Sequence, residues 1–173
     1  MVLQVAARSG WPTKTQLLFA SRSRRLRSAA DNLNLFFCGL PLNPTPTAKH
    51  LGILSDDRGS FQAEAERRTK AFESELSTLR RLSGHHWGCP IKHLLRLCRQ
   101  YVFPSLTYAP YLLPLAPSDA ITKIERLQRS FIRWAFCLPR YAAGDAVEVY
   151  AAVPPVRNRL AYLNASLFGR LLL

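Results

Sequence analysis

The residues best spaced to do chemistry in this chain are basic. Lys123, Arg126, Arg129 and Arg133 recur at intervals of 3, 3 and 4, so a helix would carry all four along one face. Guanidiniums in such a row can follow a phosphate backbone without reading bases. Lys92, Arg96 and Arg99 form a second row, and Arg22, Arg24, Arg25 and Arg27 a third cluster in a compact basic loop. For any one of these side chains a solvated face is the expected reading; it is their combined asymmetry that favours a polyanion. The only adjacent carboxylates, Asp56-Asp57, precede Arg58-Gly59 and are expected in a solvated turn. His85, His86, Cys89, His93 and Cys98 fall within 14 residues, but their spacing matches no common zinc finger. Buried thiols and a histidine pair in a turn are expected instead. No Ser/His/Asp or Cys/His nucleophile motif and no Gly-rich phosphate loop is present, so neither a catalytic residue nor a bound metal is assigned.

Composition agrees with this emphasis. The 173 residues carry 19 Arg and 5 Lys against 11 acidic side chains, a formal charge of +13. Arg forks match phosphate geometry, which makes a polyanion the first partner to consider. With 48% hydrophobic and 20% charged residues, one ordinary domain or a small pair can form a core, and wholesale disorder is not expected. Four cysteines do not suggest a disulfide scaffold, and a reducing compartment with buried thiols fits them. The apolar run Tyr101 to Pro117 contains Pro104, Pro110, Pro114 and Pro117, which makes it a poor membrane helix, so no membrane partner is expected. No secretory signal is expected either. Residues 1–30 hold six basic side chains and no acid, the composition of a mitochondrial presequence. Against that, Gln16–Ala20 reads as a buried strand beside a basic loop, which favours the cytoplasm or nucleus over the mitochondrion.

Two textures of element must position these groups. Residues 1–60 are short apolar runs (Gln16–Ala20, Leu33–Phe37, Leu51–Leu54) separated by turn formers, and predict a small strand-rich unit. From Phe61 the period becomes helical. Ala65, Phe72, Leu76, Leu79 and Leu82 predict an amphipathic helix whose other faces carry Glu64, Glu66, Arg67, Arg68 and Lys70. Gly84 and Gly88 break it, and Pro90 starts a second helix through Ile91, Leu94, Leu95 and Cys98. Residues 104–117 predict a connector or short helical turns. Ser118 then caps a helix with its apolar stripe at Ile124, Leu127, Phe131 and Trp134. Pro154-Pro155 precedes an apolar final helix. The fold class is α+β and predominantly helical.

Three stretches, in order, resemble the reverse transcriptases of non-LTR (LINE-type) retrotransposons. Trp11-Pro12-Thr13-Lys14-Thr15-Gln16-Leu17-Leu18-Phe19 is similar to that family's palm strand with its Lys-Thr pair. Lys49-His50-Leu51-Gly52-Ile53-Leu54-Ser55-Asp56 resembles the primer-grip hairpin, although an aromatic is usual where His50 stands, and Leu33 to Leu42 looks like the strand leading into it. Gln128, Phe131 and Arg133 match a "Q-x-x-F-x-R" helix, followed by Leu138-Pro139-Arg140. The resemblance implies a palm remnant with a β-hairpin over residues 1–60, a helical thumb-like bundle over 61–145 and a connector over 146–173. It implies RNA-directed DNA synthesis for the parent family, Lys14 as the palm lysine, and Leu51 and Gly52 as the primer grip. The family's Mg²⁺-binding aspartates lie N-terminal to the Lys-Thr strand, and only 13 residues, none acidic, precede Lys14. These residues alone are therefore expected to bind RNA or an RNA–DNA duplex without catalysis and with no cofactor of their own, beside a separate palm-containing chain. The rival expectations are a basic structural part of a mitochondrial ribonucleoprotein and a decayed remnant. A remnant would expose Leu17, Leu18, Phe36 and Phe37 at an unpaired edge.

Overall fold

A computed structural model describes residues 2–6, 16–21, 23–30, 35–37, 39–84 and 87–171, which separate into two units, Met1–Glu64 and Ala65–Leu173. The strands all fall in the first unit and the long helices dominate the second, an α+β, predominantly helical arrangement.

Among the described residues the first unit forms three antiparallel ribbons. β1 (Val2–Ala6), which the sequence pattern leaves unassigned, pairs with β2 (Gln16–Ala20) in the register Val2↔Ala20 to Ala6↔Gln16. β3 (Leu35–Phe37) pairs with β4 (Leu40–Leu42), and β5 (Thr47–His50) with β6 (Ile53–Asp56). β2 is the hub: a bridge joins Leu17 to Pro44, and the Thr45 N–H donates to the Leu17 carbonyl at 2.8 Å. Leu17 and Leu18 are buried to 4% and 2% exposure, so the bare edge expected of a remnant does not occur at β2. Phe36 is 69% exposed, and the side chain of Phe37 lies outside the described residues.

Two local features of this unit depart from the sequence pattern. The basic segment predicted as a loop is in part a helix, α1 (Arg24–Ala30), with Arg24 and Arg25 exposed at its start. Leu51 does not begin a strand. It forms with Gly52 the two-residue turn between β5 and β6, at φ 49° and 80° respectively. Two successive positive φ values define the turn whose twist matches a hairpin, but Leu, unlike Gly, pays a steric cost there.

Asp56 is not solvated. It is buried, its Oδ1 accepts from the Phe61 N–H at 3.1 Å, and its Oδ2 accepts from the Ser60 hydroxyl. The carboxylate thus organises the turn before α2 (Gln62–Arg81). Glu64, also buried, accepts from the Leu54 N–H at 2.9 Å.

In the second unit, Ala65, Phe72, Leu76 and Leu79 of α2 are buried as their spacing predicts, whereas Leu82 lies past the helix end and is half-exposed. Arg68 departs from its expected place on an outer face: it is 2% exposed, and its Nη1 reaches the carbonyls of Leu106 and Tyr108. Those carbonyls lie at the C-terminal end of α4 (Phe103–Thr107), where a cation offsets the negative end of the helix. α3 (Ile91–Leu97) leads into α4 through a π-helical turn, Cys98–Val102, closed by the Phe103 N–H on the Cys98 carbonyl. Pro104, which has no N–H to continue the regular ladder, follows directly. α5 (Leu112–Leu115) completes the pair of short helices over 104–117. α6 (Ser118–Ala135), α7 (Gly144–Tyr150) and α8 (Val156–Leu171) follow, so this unit takes in residues 146–173. Its core gathers Phe72, Phe103, Ile124, Phe131, Val147 and Leu160, all at most 2% exposed.

Candidate nucleic-acid interface

The face that α6 buries determines what its basic row can do. Ile121, Ile124, Phe131, Ile132 and Ala135 are buried, and so is Gln128, while Leu127 and Trp134 are only half-buried. The buried face is therefore rotated from the predicted stripe towards Gln128. The helix begins at Ser118 without a side-chain cap, and the Ser118 carbonyl accepts from the Thr122 hydroxyl at 3.2 Å. Ser118 is thus a first helical residue rather than the cap its type suggests.

The basic row divides in two. Lys123 and Arg126 are exposed and make no hydrogen bond or ion pair with the described residues. Arg129 is held: its Nη2 lies 2.9 Å from Asp145 and its Nε 3.0 Å from the buried Glu148 carboxylate. The hydrogen bond to Glu148 raises the Arg129 guanidinium above its ordinary range, partly opposed by burial. Arg133 donates through Nε and Nη2 to the Ala142 carbonyl at 3.2 and 2.8 Å. Gln128 donates to the Pro154 carbonyl at 3.2 Å. Most of the charge and hydrogen-bonding capacity of the Gln128–Arg133 motif is thus spent holding residues 142–154 against α6.

Arg80, half-buried at the end of α2, lies beside the exposed part of the row. Its Nη2 donates to the Ser130 hydroxyl at 3.1 Å, and its Cζ lies 6.0 Å from the centroid of the Trp134 ring. Fifty positions separate Arg80 from Ser130, so no local spacing pairs them; the one local signal is two arginines in the last turn of α2.

Within the second row, Lys92 and Arg96 are exposed without a partner among the described residues. Arg99 is exposed but donates to the Ala152 carbonyl at 2.9 Å. Arg159 sits 4.4 Å over the Phe103 ring; burial first, and then the charge of Arg99, lower its pKa. Arg24 and Arg25 belong to the other unit, as do Leu51 and Gly52 at the hairpin tip, where Leu51 is 75% exposed. Lys14, Arg22 and the side chain of Arg27 lie outside the described residues, as do His85 and His86. The thiols differ from one another. Cys98 is buried and pushed up to about 12 by burial, Cys89 is half-buried, and Cys137 is exposed, contrary to the expectation of buried thiols. Among the described residues no group of His, Cys, Asp or Glu is placed to hold a metal ion.

No described helix is long and apolar enough to cross a membrane. Compared with protein-family models, with curated proteins and with solved structures, the chain finds no match in any of the three.

Proposed function

We propose that this chain grips the backbone of a nucleic acid, an RNA or an RNA–DNA duplex, and that none of its residues performs a catalytic step. The observation that carries the reading is the placement of Lys123 and Arg126 on the outward face of α6, with Lys92 and Arg96 on α3, all exposed and free of ion pairs among the described residues. A cation already bridged to a carboxylate gains little from a phosphate, because it must give up one anion to meet another; an unpaired one releases counterions and gains affinity. The +13 net charge adds steering over distance. The ordered resemblance to non-LTR reverse transcriptases favours the thumb-like role of holding a primer–template, with polymerase chemistry supplied by a separate palm-containing chain.

Fluorescence anisotropy of the full chain on an RNA–DNA duplex across a salt series tests this. Each phosphate contact contributes a log–log slope of about 0.9 on duplex DNA. A total slope of about 4 is expected, falling by about 2 when Lys123 and Arg126 are both changed to Ala. Weak binding that these changes leave untouched would show that the charge is merely diffuse.

A further inference from the structure

Beside the basic row the second unit holds a cavity of about 360 Å³, lined by Trp87, Trp134, Ile91, Leu94 and Cys137 among others. That volume lies within the range of small-molecule clefts, roughly 300–1,000 Å³. Both described tryptophans line it, and Trp87 is 67% exposed.

Among the described residues, those flanking Trp87 are closely bonded to one another. The Gly84 N–H donates to the Trp87 carbonyl at 2.8 Å, and the Ser83 hydroxyl lies 3.3 and 3.1 Å from the Trp87 and Cys89 carbonyls. The indole lies against Gly84, where a Cβ would come within 2.4 Å of Nε1. Gly88 has φ 100°, and a Cβ there would meet the Leu82 carbonyl at 2.5 Å. The indole thus lies on Gly84 while most of it faces solvent.

The cations lead to this cavity. Lys123, Arg126, Ser130 and Trp134 follow one another at intervals of 3, 4 and 4, one face of α6. Arg80 fills the gap in charge at Ser130 and stacks towards Trp134. A backbone-tracking row of cations that ends on aromatic rings is the arrangement by which proteins hold single-stranded nucleic acid, since every base offers a π-face.

Resting on the backbone grip proposed above, we propose that this cavity accepts an unpaired nucleobase, stacked on Trp87, so that the chain prefers a single-stranded segment over a fully paired one. Stacking acts on the base and the row on the phosphates, so the two respond to different variables. Salt weakens the phosphate contacts and leaves stacking largely intact.

The test is anisotropy of the full chain on labelled oligo(dT) and on a blunt duplex of equal length, each across a salt series. Trp87→Leu is expected to weaken oligo(dT) binding by about 5- to 100-fold, with the salt slope unchanged and the duplex unaffected. Trp87→Phe keeps a ring and is expected to restore most of that loss, which separates stacking from damage to the loop. Lys123→Ala with Arg126→Ala should weaken both ligands and flatten both slopes. If Trp87→Leu binds oligo(dT) as the unaltered chain does, the nucleobase site is overturned and the backbone grip survives. If the unaltered chain binds neither ligand, both readings fall.

Discussion

At the scale of single residues, burial rather than residue type decides what a charged side chain does. Arg68 and Arg126 have the same chemistry, yet Arg68 is sealed against the end of α4 and Arg126 faces solvent. Asp56 and Glu64 are spent on backbone N–H groups of the chain that turns into α2. Glu75 shows the electrostatic consequence. Partial burial raises its pKa above the ordinary 4.5, opposed by a hydrogen bond from Ser105, and its Oε2 has no partner among the described residues. A carboxyl whose folded pKa is raised binds its proton more tightly in the folded state. Its penalty is therefore present above the raised value and disappears as the pH falls below the unfolded one. Glu75→Gln is expected to raise the melting temperature at neutral pH by roughly 1–2 °C, a small effect because the group is partly solvated. The gap should close below pH 4.5, where both states of the unaltered chain are protonated. Thermal melts across that range check it. None of these partners is visible in local spacing, since Arg68 and Tyr108 are 40 positions apart.

At the scale of elements, α6 is the most informative. Its period and its basic row are legible in the sequence, because both depend only on 3.6 residues per turn. Which of the cations stay free is not legible, because it depends on α7 returning to lay Asp145 and Glu148 beside Arg129. Arg129→Ala is expected to destabilise the chain by about 2 kcal/mol or more, since it strands the Glu148 carboxylate, which is 3% exposed. Glu148→Gln added to it should recover most of the loss, a coupling that a double-mutant cycle in urea measures. Lys123→Ala should stay within about 0.5 kcal/mol of the unaltered chain. The strand at Gln16–Ala20 was legible for a similarly local reason: a short apolar run, Leu17 to Ala20, bounded by polar Gln16 and Ser21. Its partner β1 was not, because Val2–Ala6 lies in a segment whose charge dominates its reading and whose role follows only from pairing with β2.

At the scale of the whole molecule, two units of different texture follow one another, and the change from strand to helical period near residue 61 lies close to their division at Glu64. The second unit is organised around the buried rings of Phe72 and Phe103, 6.2 Å apart, and of Phe131, which meets the half-buried Trp134 at 5.7 Å. Phe131→Ala removes a fully buried ring from the middle of that core and is expected to cost about 3–5 kcal/mol in denaturant unfolding followed by circular dichroism. By itself the sequence determined the fold class, the main helical periods, the excess of Arg and the candidate cation rows. Each of these is a property of neighbours within a few turns, where spacing and residue type suffice. Only the tertiary structure decided that Arg129 and Arg133 are tethered, that Arg80 takes a place beside Ser130, and that Trp87 and Trp134 share a cavity. Those outcomes depend on contacts between elements far apart in the chain, where burial and the return path of the backbone, rather than spacing, choose the partner.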